Sequence, residues 1–327
     1  MDINEIARRA GVSRATVSRY LNSGYVSQEK RDLIASIIEE TGYTPSKQAQ
    51  QLRTGKTKLV SVIIPKINSQ SVGRMVAGIT DELNDAGYQV VLANTNNDTE
   101  TELAFLNLFA PRNRVDGIIF LATVLAPEHY KLMRRLDAPC VILGQQVAGY
   151  PSVYQDDYNA VYELTRLALR KGHVPGYLGV LEEDVAAGKQ RHQGFLDACA
   201  REGVTPSPHA QLIVGFDADA GYFGAEKLMD TVSGLDAIVC ATDDIAFGAM
   251  MCVIEYGLSV PGDIQVTGVG DSQLSRIARP SLSTAHLHYR TSGMMAARML
   301  LNRLAGKAST HEDIRMDFEI YARSSTR

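Results

Sequence analysis

The sequence predicts an N-terminal all-α module followed by an α/β body of two lobes, each a doubly wound parallel sheet. Three observations carry this. Apolar residues recur at helical spacing through roughly the first 45 positions. From Leu59 onward, short apolar runs alternate with amphipathic stretches, the pattern of parallel strands covered by helices on both faces. About ten such strands over some 270 residues are more than one compact sheet prefers, so two lobes are expected.

In the N-terminal module, Ile3, Ile6, Ala7 and Ala10 share one face of a first helix. Gly11 can take the positive φ that stops it, and the Ser13 hydroxyl can cap the next helix by accepting a backbone N–H. That second helix, Arg14 to Leu21, buries Val17 and Leu21 and turns Arg14, Ala15, Ser18 and Arg19 outward. Two helices joined by a short Gly-containing turn have the spacing of a helix-turn-helix. A third helix follows Ser27, again a cap candidate, and points Ile34, Ile37, Ile38 and Thr41 at the same small core. Pro45 drives Thr44 out of the helical region and ends the module. The next stretch, Ser46 to Arg53, is polar and short, so it would be a marginal helix alone and is expected to fold only against a partner.

In the body, strands are expected at Leu59–Ile64, Gln89–Ala93, Gly117–Leu121, Cys140–Leu143, Ser152–Tyr154, Gly176–Val180, Ala210–Val214, Ala237–Ala241 and Gln265–Val269. Helices are expected at Met75–Gly87, Thr99–Asn113, Ala160–Lys171, Gln190–Glu202, Gly221–Thr231, Ile245–Tyr256 and Thr291–Gly306. No internal repeat interrupts the series. Only 45–58 reads as a linker.

Charge separates the two parts. Residues 1–56 hold nine Lys/Arg against six Asp/Glu, a balance of +3, which leaves −7 for the rest of a chain whose net charge is −4. A small basic reader on an acidic body fits that asymmetry. No apolar run is long enough to span a bilayer, and the first residues do not form a signal peptide, so a cytoplasmic location without membrane association is expected. Cys140, Cys199, Cys240 and Cys252 lie far apart with no C-x-x-C pair, which favours buried thiols over a metal site or disulfides. The seven histidines lack metal-ligand spacing and read as surface or capping residues. Neither a nucleophile elbow, a P-loop nor a dinucleotide fingerprint occurs, so no enzyme activity and no cofactor are expected.

The run Asn4 to Asn22, with Val26-Ser27, Gly42-Tyr43-Thr44-Pro45 and Ala49-Gln50-Gln51-Leu52, closely resembles the headpiece and hinge of lactose-repressor family regulators. Asp116-Gly117-Ile118-Ile119, Arg191-His192-Gln193-Gly194-Phe195, Ala241-Thr242-Asp243-Asp244 and Ala322-Arg323-Ser324-Ser325-Thr326 continue the likeness in family order. The resemblance implies a headpiece over 1–45, a hinge over 46–58 and an effector-binding and dimerisation domain over 59–327. In that domain the N-lobe would take about 59–155 and 285–315, the C-lobe about 156–284 and 316–327. It further implies a homodimer on a pseudo-palindromic double-stranded operator, recognition helices in the major groove and hinge helices in the minor groove. The absence of a heptad-patterned tail favours a dimer over a tail-mediated tetramer.

The side chains suit those roles chemically. Arg14 and Arg19 can fork onto guanine edges or pair with phosphates, Ala15 can touch a thymine methyl, and Ser18 can bond to either base type. Ser13, Thr16, Asn22, Tyr25, Ser27 and Tyr43 read as phosphate contacts. In the hinge, Ala49 belongs to the family pattern and Leu52, apolar on a polar helix, can wedge between base steps. The alternatives are plain solvated arginines and a Leu52 packed on the body.

The body resembles the periplasmic sugar-binding fold, whose ligand lies between the lobes at the carboxyl ends of the strands. The resemblance places Arg191 as a ligand-gripping guanidinium, Phe216 as a stacking ring, and Thr242, Asp243 and Gln145 at strand ends facing a sugar. Gly270 stands where many relatives carry a ligand-bonding Asp, so Asp271 either substitutes or the contact is missing. Ser69, Ser71 and Arg74 at a helix start can hold a phosphate, which makes a sugar phosphate a candidate effector. Structural readings stand beside these: Arg191 as a salt-bridge partner, Phe216 as core, Asp243 or Asp244 as the cap of the next helix, and Asp156-Asp157 as solvated or capping acids. The expected function is thus a sugar-responsive repressor, with sucrose or trehalose metabolism favoured by local likeness. Its rivals are a catabolite-control regulator with a protein partner, a solute-binding protein and a sugar-modifying enzyme.

Overall fold

The computed structural model describes residues 2–22, 24–43, 56–111, 114–171, 173–307 and 312–327. It falls into two compact units, Met1–Thr57 and Lys58–Arg327.

Among its described residues the first unit has three helices, α1 (Ile3–Arg9), α2 (Arg14–Leu21) and α3 (Gln28–Thr41). Ile6, Ala7, Ala10, Val17, Ile34 and Ile37 are buried together at their centre, the set the helical spacing selects, with Tyr43 packed against them. Gly11 and Gly42 sit at φ of 57° and 60°, the left-handed turns that end α1 and α3. Ser13 caps α2 by accepting from the Thr16 N–H at 3.2 Å. Ser27 stands at the start of α3 but makes no side-chain cap bond there, contrary to expectation. Its hydroxyl is left outward.

The second unit contains two six-stranded sheets among the described residues. The N-lobe sheet is ordered β11-β5-β4-β3-β1-β2, from β1 (Leu59–Ile64), β2 (Gln89–Asn94), β3 (Gly117–Leu121), β4 (Cys140–Gly144), β5 (Ser152–Gln155) and β11 (Asp313–Met316). The C-lobe sheet is ordered β12-β10-β9-β8-β6-β7, from β6 (Pro175–Gly179), β7 (Gln211–Ile213), β8 (Ala237–Cys240), β9 (Gln265–Val269), β10 (Ser283–Leu287) and β12 (Phe318–Tyr321). All pairings are parallel except β10 with β12. Central strands such as Gly117–Leu121 are buried along their whole length, as a sheet covered on both faces requires.

In the N-lobe, α4 (Gln70–Asp85) and α12 (Tyr289–Leu304) cover one face and α5 (Thr99–Phe109) with α6 (Pro127–Met133) the other. In the C-lobe, α7 (Asp157–Leu169) and α8 (Arg191–Arg201) oppose α9 (Ala218–Thr231) and α10 (Asp243–Glu255), with a short α11 (Gln273–Ile277) beside β10. The chain passes between lobes three times, after β5, after β10 and after β11. The lobe boundaries drawn from sequence shift accordingly: β10 lies wholly in the C-lobe sheet and Met316 ends an N-lobe strand. His129 is fully buried, with Nδ1 accepting the Ala126 N–H and Nε2 facing Glu102 at 3.1 Å, so it is a capping residue but not a surface one.

Glycines set how closely α9 and α10 approach. A methyl at Gly248 would overlap the Ala218 carbonyl, and one at Gly221 the Ile245 carbonyl. Gly248→Ala should therefore destabilise the C-lobe by about 1–3 kcal/mol, because two backbones must part. Thermal unfolding checks this, with Gly73→Ala as control: it meets no atom within 4 Å, so its midpoint should not fall.

Candidate functional site

The face of α2 away from the small core carries Arg14, Ala15 and Arg19 exposed and Thr16 and Ser18 half-buried. Asn22 at its end donates to the Ser18 carbonyl, fixing the last turn. Tyr25 is 89% exposed, its ring and phenol presented to solvent. Ser13 and Thr16 share a hydroxyl contact of 3.0 Å, so the pair presents a combined donor and acceptor at the helix start. Tyr43 is brought nearer the core than the sequence suggests, half-buried and packed against the buried cluster of the module. Ala49 and Leu52 lie outside the described residues.

In the body, the eight residues expected to meet an effector divide between the two lobes. Arg191, first residue of α8, is 5% exposed and already engaged. Its Nε and Nη2 hold the Asp157 carboxylate at 2.8 and 2.7 Å, and Nη1 donates to the Ala241 carbonyl at 2.5 Å. Arg191 thus has a salt-bridge partner in Asp157, an acid that the sequence reads as solvated or capping. Burial pushes the Asp157 carboxyl above its ordinary range, and the Arg191 charge opposes that rise. Asp156 beside it does cap α7, accepting the Asn159 N–H at 3.3 Å. Tyr289, at the head of α12 and absent from the sequence expectations, is buried with its ring under the Arg74 guanidinium, 5.0 Å from Cζ to centroid.

Asp243 is likewise occupied. It accepts the Ser272 N–H and the Thr284 hydroxyl, both at 2.6 Å, and is 3% exposed. The cap of α10 is neither Asp243 nor Asp244 but Thr242, whose hydroxyl accepts the Ile245 N–H at 3.3 Å. Asp271 is the hub of a third cluster: Arg276 at 2.5 Å, Arg323 at 2.6 Å, His286 at 3.0 Å and the Ser275 hydroxyl at 3.3 Å. Burial alone would raise its pKa, but bonds from Arg276, Arg323 and His286 hold the carboxyl well below the usual range. A depressed carboxylate stabilises the fold fully above its unfolded pKa and loses that contribution as pH falls through the folded value. With four protein partners, Asp271 anchors the loop after β9.

The remaining residues sit nearer the lobe boundary. Gln145 is buried after β4 and gives its amide N–H to the Thr123 carbonyl at 2.7 Å. Ser71 bonds to Ser69 at 2.9 Å at the start of α4, where Ser69 leaves the helix without a side-chain cap. Arg74 reaches from α4 to the C-lobe carbonyl of Gly270 at 2.5 Å and that of Asp271 at 3.4 Å. Phe216 packs half-buried on the C-lobe core and lies under Lys66 of the N-lobe, Nζ to ring centroid 5.5 Å. Gln155, at the end of β5, is 6% exposed with neither amide atom bonded to the protein, an expensive arrangement in a buried position. Nothing in the local sequence marks it. Among the described residues no His/Cys/Asp/Glu cluster could hold a metal, and no helix is long and apolar enough to cross a membrane.

Comparison with known proteins follows this division. Residues 2–46 match the family described as bacterial regulatory proteins, lacI family, and residues 169–326 match the periplasmic binding protein-like domain. The HTH-type transcriptional regulator RegA of Clostridium saccharobutylicum is 30% identical over 99% of this chain and 98% of its own length. The sucrose operon repressor of Staphylococcus xylosus is 30% identical, covering 90% and 91%. The fold matches the Lac repressor dimer bound to operator and the anti-inducer ONPF at a TM-score of 0.89 and 23% identity, over 100% of this chain and 99% of that one. It also matches the transcriptional regulator CelR-cellobiose complex at 0.77 and 23%, over 99% of each chain. With a DNA-reading motif at one end, a two-lobed body after it and relatives aligned along nearly its entire length, the chain belongs to the lacI family of bacterial regulatory proteins.

Proposed function

We propose that the chain represses a carbohydrate-utilisation operon in the cytoplasm, binding a pseudo-palindromic operator as a homodimer and changing affinity when a sugar or sugar phosphate enters the cleft between its lobes. The observation that carries this reading is the outward face of α2, with Arg14, Ala15 and Arg19 exposed on a self-contained three-helix core. Its width and edge chemistry suit a major groove. Relatives supply the carbohydrate context: a sucrose operon repressor by sequence, and by fold a regulator solved with cellobiose.

The body supports pairing with a second copy. Phe223 on α9 and Met251, Ile254, Tyr256 and Leu258 on or after α10 are large apolar residues left 36–64% exposed on one side of the C-lobe. Burying such a patch against its symmetry mate would remove it from water. Two half-sites then follow from two headpieces.

The mechanism needs only a modest coupling. If the effector changes the angle between lobes, the spacing of two linkers changes with it, and about 1–3 kcal/mol suffices for a 5- to 150-fold change in operator affinity. Leu52 would act at the DNA end of this chain of effects. Leu52→Ala should weaken specific operator binding far more than non-specific binding, since a wedge matters only where the duplex is kinked. Gel shifts with a fragment from the gene's own upstream region, at low ionic strength and with candidate sugars and their phosphates, test both points. Equal losses on both kinds of DNA would remove the wedge, and no retardation under any condition would remove the repressor.

A further inference from the structure

The boundary between the two units falls between Thr57 and Lys58, just ahead of β1. Lys58 has a φ of 57° there. Among the described residues, the other non-glycine residues with positive φ are Asn96, Asn97 and Asp271. Asn and Asp tolerate the left-handed region because their short polar side chains bond locally. A lysine has no such device and keeps the conformation only where its surroundings over-determine it.

Three contacts hold it. The Lys58 N–H donates to Asp116 Oδ2 at 3.0 Å, its carbonyl accepts the Gln89 N–H at 2.8 Å, and its Nζ lies 4.2 Å from the centroid of the Tyr88 ring. Asp116 stands just before β3 and Tyr88 just before β2, the two strands that flank β1, so the anchors belong to the sheet itself. Both are fixed in turn: Asp116 donates its own N–H to the Leu59 carbonyl at 2.8 Å, and Tyr88 is 6% exposed. Burial and the nearby Asp116 carboxylate push the Tyr88 phenol above its ordinary range, so the ring stays neutral beneath the ammonium.

The C-lobe separates what a sheet needs from what is added here. Asp236, placed before β8 as Asp116 is before β3, accepts the N–H groups of His173 and Val174 ahead of β6 at 2.7–3.0 Å. In both lobes, then, an acid at one strand start ties down the start of its neighbour. Neither His173 nor Val174 has a positive φ, however. At Lys58 the left-handed turn and the ammonium over a ring are additional, and they fall where the chain arrives from the headpiece. The φ of a residue sets the path of the chain on its N-terminal side, so fixing one fixes the other.

We propose that Lys58, clamped by Asp116 and Tyr88, is a positioning residue for operator recognition: it fixes the direction in which the linker leaves the body, so that the two headpieces of a dimer are offered to DNA at one spacing. The proposal rests on the dimeric repressor reading above. A loosened joint leaves the DNA contacts of each headpiece intact. It spoils the second binding event, whose effective concentration depends on how the linker spans the gap.

The test uses the full chain as wild type, Asp116→Ala, Asp116→Asn, Lys58→Gly and Lys58→Arg. Fluorescence anisotropy compares three DNA probes: the operator fragment from the gene's own upstream region, the same fragment lengthened between its half-sites, and one half-site alone. Asp116→Ala and Lys58→Gly should bind the intact operator about three- to tenfold more weakly, and the penalty for the lengthened fragment should shrink by a similar factor. Their half-site binding should stay within about twofold of wild type. Asp116→Asn, which keeps the acceptor, and Lys58→Arg, which keeps a cation over the ring, should behave as the wild type does. A purely structural role would instead weaken all three probes together. In the free protein the Lys58 N–H should be protected from exchange and should lose that protection in Asp116→Ala. Lys58→Gly keeps the proposal falsifiable if Asp116→Ala does not fold, since glycine takes the left-handed turn without strain. The idea is overturned if the folded variants keep the wild-type affinity and spacing penalty, if all three probes weaken alike, or if the Lys58 N–H is unprotected in the wild type. A wild type that binds none of the probes is a different result: it fails the repressor reading, and the operator role of the joint falls with it.

Discussion

Arg191→Ala should lower the stability of the body by roughly 3–5 kcal/mol, the cost of leaving a buried carboxylate without its counter-ion. The site justifies a value at that level. Arg191 and Asp157 are 5% and 3% exposed, joined by two bonds at 2.7–2.8 Å, and the guanidinium also satisfies the Ala241 carbonyl. Deleting it strands Asp157 and an acceptor at the same time. Urea unfolding of the full chain measures the loss. The paired replacement Arg191→Met with Asp157→Leu should recover most of it, because two apolar groups of similar size are cheaper to bury than one orphaned charge. A single-variant loss below about 1 kcal/mol would mean that water reaches Asp157 and screens the pair.

The second large effect is on DNA. Arg14→Ala and Arg19→Ala should each reduce operator affinity by about 1–3 kcal/mol if the guanidinium reads a guanine edge. The two possible kinds of contact leave different traces. Loss of a base contact relaxes sequence preference at one position and leaves the salt slope nearly unchanged. Loss of a phosphate contact weakens all sequences alike and reduces the slope of log K on log salt by about 0.9. Fluorescence anisotropy over a salt series distinguishes them, and an arginine whose removal alters neither is solvated surface. Because both side chains are exposed and lie outside the module's core, the variants should keep the wild-type helix content.

How far the sequence discloses the molecule depends on whether information is local. Strands β1 to β9 are legible because each is a short run with apolar residues, and most are buried along most of their length; Gln211–Ile213, at the sheet edge, is only partly so. Gln89–Asn94 is likewise an edge strand, with Val91 and Leu92 exposed. Ser283–Leu287, Asp313–Met316 and Phe318–Tyr321 are not legible: they are short or rich in polar residues, and their neighbours come from distant parts of the chain. The start of α4 at Gln70, five residues before the expected one, is hidden by Ser71 and Gly73, which read locally as loop. The short helices α6 and α11 offer too few turns for a periodicity to register.

The same rule governs the site. The headpiece face is legible because a single helix carries it, and helical spacing sorts inward from outward residues. In the cleft, residue types at strand ends could be read, but not their partners. Asp157 and Arg191 are 34 positions apart, Asp243 and Thr284 are 41 apart, and Arg74 and Gly270 are 196 apart. No spacing rule relates such pairs. Arg191, Asp243 and Asp271 are therefore engaged by partners within the protein that no local pattern announces, and Arg74, a phosphate candidate by its place at a helix start, bonds to carbonyls of the other lobe.

The triple passage of the backbone between lobes makes the last fifteen residues shared property. Cleavage ahead of Asp313 would take β11 from one sheet and β12 from the other, and with them Arg323, one of the cations on Asp271. Neither lobe can thus be excised as an uninterrupted fragment, and damage at the tail should melt both halves in a single cooperative step.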